Sequence, residues 1–315
     1  MKNKTIGGIM KAVVCTAYGP PEVLQLREVK KPLPKTNEVL IRIHATAVTA
    51  SDCIIRGFKL PRRSLMGFMM GLVLGFTKPR NPILGMVLAG EIETIGKSVT
   101  RFKPGDSVYA FNTMRFGAYA EYICLPETSV IALKPANLTY EEAAAIPYGG
   151  MLALHFLKKG NIQTGQKVLI YGASGANGTA AVQLTKYYGA EVTGVCSTAN
   201  LEFVKALGAD QVIDYTQEDV TNRGELYDFI FDAVGKKKSA RLPFAQILKP
   251  NGTYLSVDDG TPKLHSEDLN FLTRLAEAGQ LKPVIDRCYS LAQMAEAHRY
   301  VDTGHKRGNV VVAIR

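Results

Sequence analysis

Two periods of apolar and polar positions divide the chain. Over residues 11–26 and 38–48, short β-branched runs alternate with polar residues, the signature of strands with one buried face. Gly19-Pro20-Pro21 and Pro32-Leu33-Pro34 interrupt them, since proline cannot donate to a ladder and glycine permits tight turns. Residues 87–95 and 118–125 continue the alternation, with Lys103-Pro104-Gly105-Asp106 as a turn between strands. The first part is therefore expected to be mostly β, in a partly closed barrel.

After Pro135 the period lengthens. Residues 140–145 and 150–159 read as helices, and the uninterrupted apolar run 168–171 reads as a strand buried on both faces. A glycine-rich turn and a helix over 179–188 follow. The rhythm repeats with strands at 191–195, 211–213, 229–232 and 252–257 and a helix at 201–207, which predicts an α/β, doubly wound parallel sheet. An amphipathic helix over 291–301 and an apolar strand over 310–314 close the chain, in a tail expected to pack back on the first part. The expected domains are 1–127, 128–281 and 282–315.

Residues 65–76 fit neither period. They are rich in Leu, Met, Phe and Gly, between Arg62-Arg63 and Lys78 with Arg80. About 20 apolar residues are needed to span a bilayer, so the stretch is too short to cross one. The expectation is a buried or lid-forming excursion, with a membrane-surface contact through residues 57–83 as the alternative, because a basic rim around apolar residues suits anionic lipid.

Composition sharpens this picture. A chain of 315 residues with 46% hydrophobic content has material for two cores. The net charge of +10 admits a nucleic acid, an anionic surface or a polyanionic cofactor. No nucleic-acid-binding motif accompanies it, and Lys and Arg are scattered apart from Lys236-Lys237-Lys238 and the basic flanks of residues 59–80, so no nucleic-acid partner is expected. The five cysteines, Cys15, Cys53, Cys124, Cys196 and Cys288, are odd in number and lack a C-x-x-C pair, which favours a reducing compartment. Residues 1–9 lack the apolar core of a signal peptide, so a cytoplasmic location is expected.

The strongest chemical signal is Gly172-Ala173-Ser174-Gly175-Ala176-Asn177-Gly178, set between the buried strand and a helix. Glycines let the backbone approach a diphosphate, and free N–H groups at the helix start stabilise its charge. The turn therefore reads as a dinucleotide site. At the end of the next strand an acidic residue would mark NAD by holding the ribose hydroxyls. The sequence there is Cys196-Ser197-Thr198, with hydroxyls in place of a carboxylate, which points to NADPH. The alternative role for Ser197 and Thr198 is capping of the next helix.

The pattern Gly165-Gln166, Leu169, Ala173-Ser174-Gly175, Gly178, Gln183 and Lys186, framed by Lys103-Pro104-Gly105-Asp106 and Leu207-Gly208-Ala209-Asp210, resembles the medium-chain dehydrogenase/reductase superfamily. Within it, the chain from Met10 onward is similar to the zinc-free, zeta-crystallin-like quinone oxidoreductases, with Ala176 where glycine is usual. The resemblance implies a GroES-like, mostly-β catalytic domain built from both chain ends and a Rossmann domain between them. Zinc alcohol dehydrogenases place a cysteine three residues before the Asp52 position and a histidine after the Gly85 position; here these are Thr49 and Met86, and residues 109–119 contain no cysteine for a structural zinc. Without a metal, the accessible chemistry is hydride transfer from NADPH to an acceptor that delocalises the negative charge itself, a quinone or an α,β-unsaturated carbonyl.

By the same resemblance, Ile146-Pro147-Tyr148-Gly149 lies beside the nicotinamide and offers Tyr148 as proton donor, or as a core aromatic. Asp52 falls at the family's Asn-Pro-x-Asp position, as a site residue or a brace for a helix start. Tyr215, Val234, Gly235 and Asn309 are the remaining cofactor-contact candidates. Leu152 and Asn200 depart from the threonine and lysine of relatives. The short connection over 258–266 omits the strand through which many relatives pair their sheets, so a monomer or an atypical dimer is expected. No histidine shows ligand spacing, and no nucleophile elbow is present. The competing functions are a non-catalytic NADPH-binding redox sensor and a zinc alcohol dehydrogenase with other ligands.

Overall fold

The computed structural model describes residues 8–58, 65–240 and 242–314, with the backbone alone at 65–67, 70 and 114. The chain divides into two units: Met1–Pro147 with Ile285–His305 and Asn309–Arg315, and Tyr148–Val284 with Lys306–Gly308.

In the first unit, β1 (Ile9–Cys15) and β2 (Leu24–Lys30) form an antiparallel ribbon. It is followed by β3 (Glu38–Val48), α1 (Ala50–Gly57), α2 (Leu65–Leu74), β4 (Val87–Ile95), β5 (Ser107–Phe111), β6 (Tyr122–Pro126), β7 (Ile131–Leu133) and α3 (Tyr140–Ala144). β3 is the hub: it pairs antiparallel with β4 along one edge and, through Glu38–Arg42, with β6 on the opposite edge. Val39, Ile41 and Ile43 on it are 0–1% exposed, and each fully buried aliphatic side chain of this size contributes about 1.5–3 kcal/mol.

The second unit contains α4 (Pro147–Lys159, from the residue before the boundary), β8 (Lys167–Tyr171), α5 (Ala176–Tyr187), β9 (Glu191–Cys196), α6 (Leu201–Ala206), β10 (Gln211–Asp214), β11 (Tyr227–Asp232), α7 (Lys236–Ser239), β12 (Leu248–Ser256) and α8 (Ser266–Glu277). Its five strands are all parallel, in the order β10-β9-β8-β11-β12. The central β8 is sandwiched by β9 and β11, and its Val168, Leu169 and Ile170 have no exposure, which explains why it reads as an unbroken apolar run. The chain then re-enters the first unit through β13 (Ile285–Ser290), α9 (Met294–Asp302) and β14 (Asn309–Ala313), with β14 antiparallel to β3.

Several expectations shift. The division falls at Pro147 rather than at residue 127, because β7 pairs with β5. Residues 118–120 lie outside β6 and meet the ribbon through an Ala12–Ala120 bridge and a hydrogen bond from the Val13 N–H to the Tyr119 carbonyl at 2.8 Å. β13 has no apolar run to betray it; it is a parallel partner of β14. Among the described residues no strand follows β12 before β13, and α8 occupies that interval. Of the two expectations for residues 65–76, burial holds for Leu74, 5% exposed, but not for Phe68, Met69, Leu72, Val73 and Phe76 on and just after α2, which are 45–58% exposed. No described helix is long and apolar enough to cross a membrane.

Candidate functional site

The turn between β8 and α5 is shaped by close backbone packing. Gly172 has φ +81°, and a Cβ there would lie 2.3 Å from Val234. Both the Gly172 and Ala173 N–H groups donate to the Val195 carbonyl, at 3.0 and 2.9 Å, which ties the turn to the end of β9. A Cβ on Gly178 would sit 2.1 Å from the Gly172 carbonyl oxygen, so α5 can begin this close to the turn only with glycine there.

The helix starts three residues earlier than the sequence suggests. Gly175 is its N-cap, without a side-chain cap, and Ala176, Asn177 and Gly178 form its first turn. Their N–H groups have no carbonyl behind them in the helix, and the helix dipole adds partial positive charge at the same place. Asn177 Oδ1 is buried without a hydrogen-bond partner. Main-chain donors at the start of a helix fit the diphosphate of a dinucleotide. A second strap secures the turn: Gly308 N–H donates to the Ser174 carbonyl at 2.8 Å.

At the end of β9 the hydroxyls differ in availability. Thr198 donates to Asp214 Oδ2 and lies 3.0 Å from Thr216 Oγ1, so its proton is committed. Asp214 Oδ1 accepts from Thr216 N–H at 2.9 Å and its hydroxyl at 2.7 Å. Burial raises the Asp214 carboxyl, but the hydrogen bonds from Thr198 and Thr216 outweigh it and hold the pKa below the usual range. The expectation of an acid-free strand end is thus corrected: the acid comes from β10, where β9 alone could not reveal it. Ser197 Oγ accepts from Asn200 Nδ2 at 3.0 Å and keeps its own proton to donate. Neither hydroxyl caps the following 3₁₀ turn. Tyr215, 51% exposed, is held at the same edge by its N–H to the Cys196 carbonyl at 3.1 Å.

Val234 and Gly235 are fixed by a residue the sequence analysis left unassigned. Asp232, fully buried at the end of β11, accepts from both of their N–H groups at 3.1 Å and from Ser239, Tyr254 and Ser256 hydroxyls at 2.7, 3.0 and 3.2 Å. A buried acid ending an apolar strand was the available signal. Tyr148, half-buried, lies in the first turn of α4, beside Gly149. A Cβ on Gly149 would meet the Ala176 carbonyl oxygen at 2.2 Å, so α4 packs directly on the phosphate turn, with Tyr148 one residue away. Asn309 follows the Gly308 strap and pairs with Ile285 in the first unit.

Asp52 is a different kind of residue. It is N3 of a capping box with Thr49: Oδ2 accepts from Thr49 N–H at 2.9 Å and its hydroxyl at 2.7 Å, while Asp52 N–H donates back at 3.1 Å. It has no exposure, and burial raises its pKa to about 6 against the Thr49 hydrogen bonds. Hydrogen bonding from the Tyr119 hydroxyl and the Gly85 N–H also lowers it. Nearby, His298 Nε2 is 3.0 Å from the Tyr119 hydroxyl, and Arg56 lies 3.4 Å from His298 Nδ1 and pairs with Asp302 at 2.7 Å. Burial first, and Arg56 second, lower the His298 pKa to about 3, so the imidazole is neutral. Arg56 then donates to Nδ1, and Nε2–H donates to Tyr119.

A match to the alcohol dehydrogenase GroES-like domain covers residues 35–135, and matches to zinc-binding dehydrogenase domains cover 176–275 and 258–312. The chain is 33% identical to a 2-methylene-furan-3-one reductase of Solanum lycopersicum, over 96% of this chain and 79% of that protein. It is 31% identical, with the same coverage, to an NADPH-dependent alkenal/one oxidoreductase of Arabidopsis thaliana. The solved structure of the quinone oxidoreductase from Coxiella burnetii superposes with a TM-score of 0.87 at 28% identity, covering 98% of this chain and all of that one. The zinc in the domain names does not fit these residues. Thr49 is spent on Asp52, Met86 offers a thioether where imidazole would be needed, and the neighbouring Cys53 and His298, 3.3 Å apart, face the Arg56 cation. No group of three or more candidate ligands occurs among the described residues.

Proposed function

The chain belongs to the medium-chain dehydrogenase/reductase superfamily, among its quinone and alkenal oxidoreductases, and from that premise we propose that it catalyses zinc-independent, NADPH-dependent reduction of an α,β-unsaturated carbonyl or quinone. The observation that carries this is the phosphate turn: Gly172 and Gly178 let the start of α5 pack directly on the end of β8, and the first-turn amides of α5 are left to bind the diphosphate. The names of the relatives, an alkenal/one oxidoreductase, a furanone reductase and a quinone oxidoreductase, supply the acceptor class.

Bound NADPH supplies a hydride to the electrophilic carbon, and the conjugated oxygen of the acceptor takes up the charge without a Lewis acid. The protein's own part is positioning. Asp232 holds the Val234-Gly235 turn against Gly172, and Gly149 lets α4 lie on Ala176, which sets Tyr148 beside the cofactor turn as the proposed donor of the proton that completes reduction. We further propose that the chain works as a monomer or through an interface other than sheet pairing, since its parallel sheet ends at β12.

NADPH oxidation measured with a panel of enones, enals and quinones, before and after dialysis against a chelator, tests the proposal. Turnover with conjugated acceptors and indifference to the chelator are expected. Cofactor binding without turnover on any acceptor would instead identify a sensor, and activity that vanishes with the metal would restore zinc.

A further inference from the structure

The stretch from Cys53 to Gly90 contains no Asp or Glu, although it carries Arg56, Lys59, Arg62, Arg63, Lys78 and Arg80. Arg56 is buried and paired with Asp302. The others flank α2: Lys59, Arg62 and Arg63, which lie outside the described residues, precede it in the chain, and Lys78 and Arg80, both exposed, follow it. Between these flanks α2 turns an apolar face outward. Phe68, Met69, Leu72 and Val73 are one and four residues apart, which places them on one side of a helix, and each is about half exposed. Phe76, just beyond the helix, brings its ring centroid within 5.6 Å of that of Phe68 and extends the face. Gly71 and Leu74, on the other side, are buried.

The end of this helix is fixed to the first unit. The Tyr18 hydroxyl lies 2.9 Å from the Leu74 carbonyl oxygen and 3.0 Å from that of Gly75, and the Arg80 N–H donates to the Leu74 carbonyl at 2.8 Å. A Cβ on Gly75 would lie 2.2 Å from the Lys78 carbonyl oxygen and 3.4 Å from Arg80 Cγ, so both basic residues fold back on the end of α2. We propose that α2 docks the protein on an anionic phospholipid surface, with the face from Phe68 to Phe76 toward the acyl chains and the basic flanks among the headgroups. Ten residues are too few to cross a bilayer and enough to lie in its surface. Charge selects this occupant: the acid-free stretch has nothing to repel anionic headgroups, and each Lys or Arg near such a surface strengthens binding about fivefold. Docking goes beyond the proposed reaction and does not depend on it; where both hold, an acceptor dissolved in lipid comes within reach of the enzyme.

The chain has no tryptophan, so a single introduced one reports its own surroundings. Met69→Trp on α2 and, as a control, Leu226→Trp at an exposed position in the second unit are titrated with phosphatidylcholine vesicles made with and without phosphatidylglycerol. Flotation of the wild-type chain with the same vesicles measures binding. The wild-type chain should float with the phosphatidylglycerol vesicles, less so as salt is raised, and Met69→Trp emission should shift to the blue while that of Leu226→Trp stays in place. Joint Lys78→Gln and Arg80→Gln should weaken binding roughly ten- to thirtyfold, and joint Phe68→Ser and Leu72→Ser at least roughly tenfold. No binding to anionic vesicles, equal binding to vesicles of phosphatidylcholine alone, or equal shifts at both tryptophans would overturn the proposal. A blue shift of Met69→Trp that grows with protein concentration in the absence of lipid would also overturn it, by showing that a second copy of the chain covers the face. Vesicle binding is read without cofactor or acceptor, so its failure leaves the reductase reading standing, and failure of turnover leaves the docking standing.

Discussion

The phosphate turn at 172–178 and the cluster around Asp52 and His298 are both motif positions of one superfamily, yet they are built on opposite principles. The turn works through what it lacks. Glycines remove side chains, the first turn of α5 presents amides with no internal acceptor, and Asn177 keeps a buried oxygen unmatched. The cluster works through side chains that answer one another: Thr49 with Asp52, Arg56 with His298 and Asp302, His298 with Tyr119, all but Asp302 almost wholly buried. Main-chain donors left without an internal acceptor mark a place for an anionic ligand; capacity met internally marks a brace.

The largest expected effect is at the brace. His298 has its pKa lowered to about 3 from 6.5, so its contribution to stability is present above pH 6.5 and lost as pH falls toward 3. That shift is worth about 5 kcal/mol as an upper bound. Asp52 has the opposite sign: raised to about 6 from 3.8, it favours folding below about pH 4 and loses that contribution as pH rises through 6. His298→Gln should therefore cost about 2–4 kcal/mol at neutral pH through the broken network. It should also change the profile, so that between pH 6 and 4 stability falls less steeply on acidification, with His44 and His155, whose pKa values burial also lowers, still contributing to the loss. Urea unfolding at a series of pH values measures both; an unchanged acid limb would mean that the imidazole is not buried and neutral.

At the turn, Gly178→Ala should cost about 1–3 kcal/mol through overpacking against the Gly172 carbonyl. It should weaken NADPH binding at least roughly tenfold, as read by equilibrium dialysis. Smaller again is Thr198→Val, which removes the bond to Asp214 and should cost about 1 kcal/mol in thermal or urea unfolding. Its ratio of NADPH to NADH affinity should stay within about twofold, because that hydroxyl is already committed. Smallest is Gly175→Ala. Its added Cβ would find the Gly172 oxygen at an ordinary 3.6 Å, and its φ of −80° suits any residue, so stability should move by less than about 0.5 kcal/mol. Two glycines three residues apart should thus give opposite answers; equal sensitivity would break the account of the turn.

Much of the site was legible because it is local. The order strand, glycine turn, helix is encoded within about twenty residues, and the apolar run 168–171 announced a strand covered on both sides. Other parts could not be read that way. Asp214 stands beside Thr198 only because β10 pairs parallel with β9, and a one-strand view of Cys196-Ser197-Thr198 shows no acid. β13 has too little apolar alternation to register as a strand until β14 offers it a ladder.

The sequence by itself determined the fold class, the place of the phosphate turn and the lack of a thiolate or imidazole at residues 49 and 86, because periodicity, glycine spacing and residue type are properties of the chain read in order. Only the tertiary structure decided that Asp52 is a buried brace, that Thr198 is spoken for, and that Gly308 and Arg307 lie against residues 174 and 199. Each of those depends on hydrogen-bond partners brought together from distant segments, and the direction and availability of a donor cannot be known until its acceptor is in place.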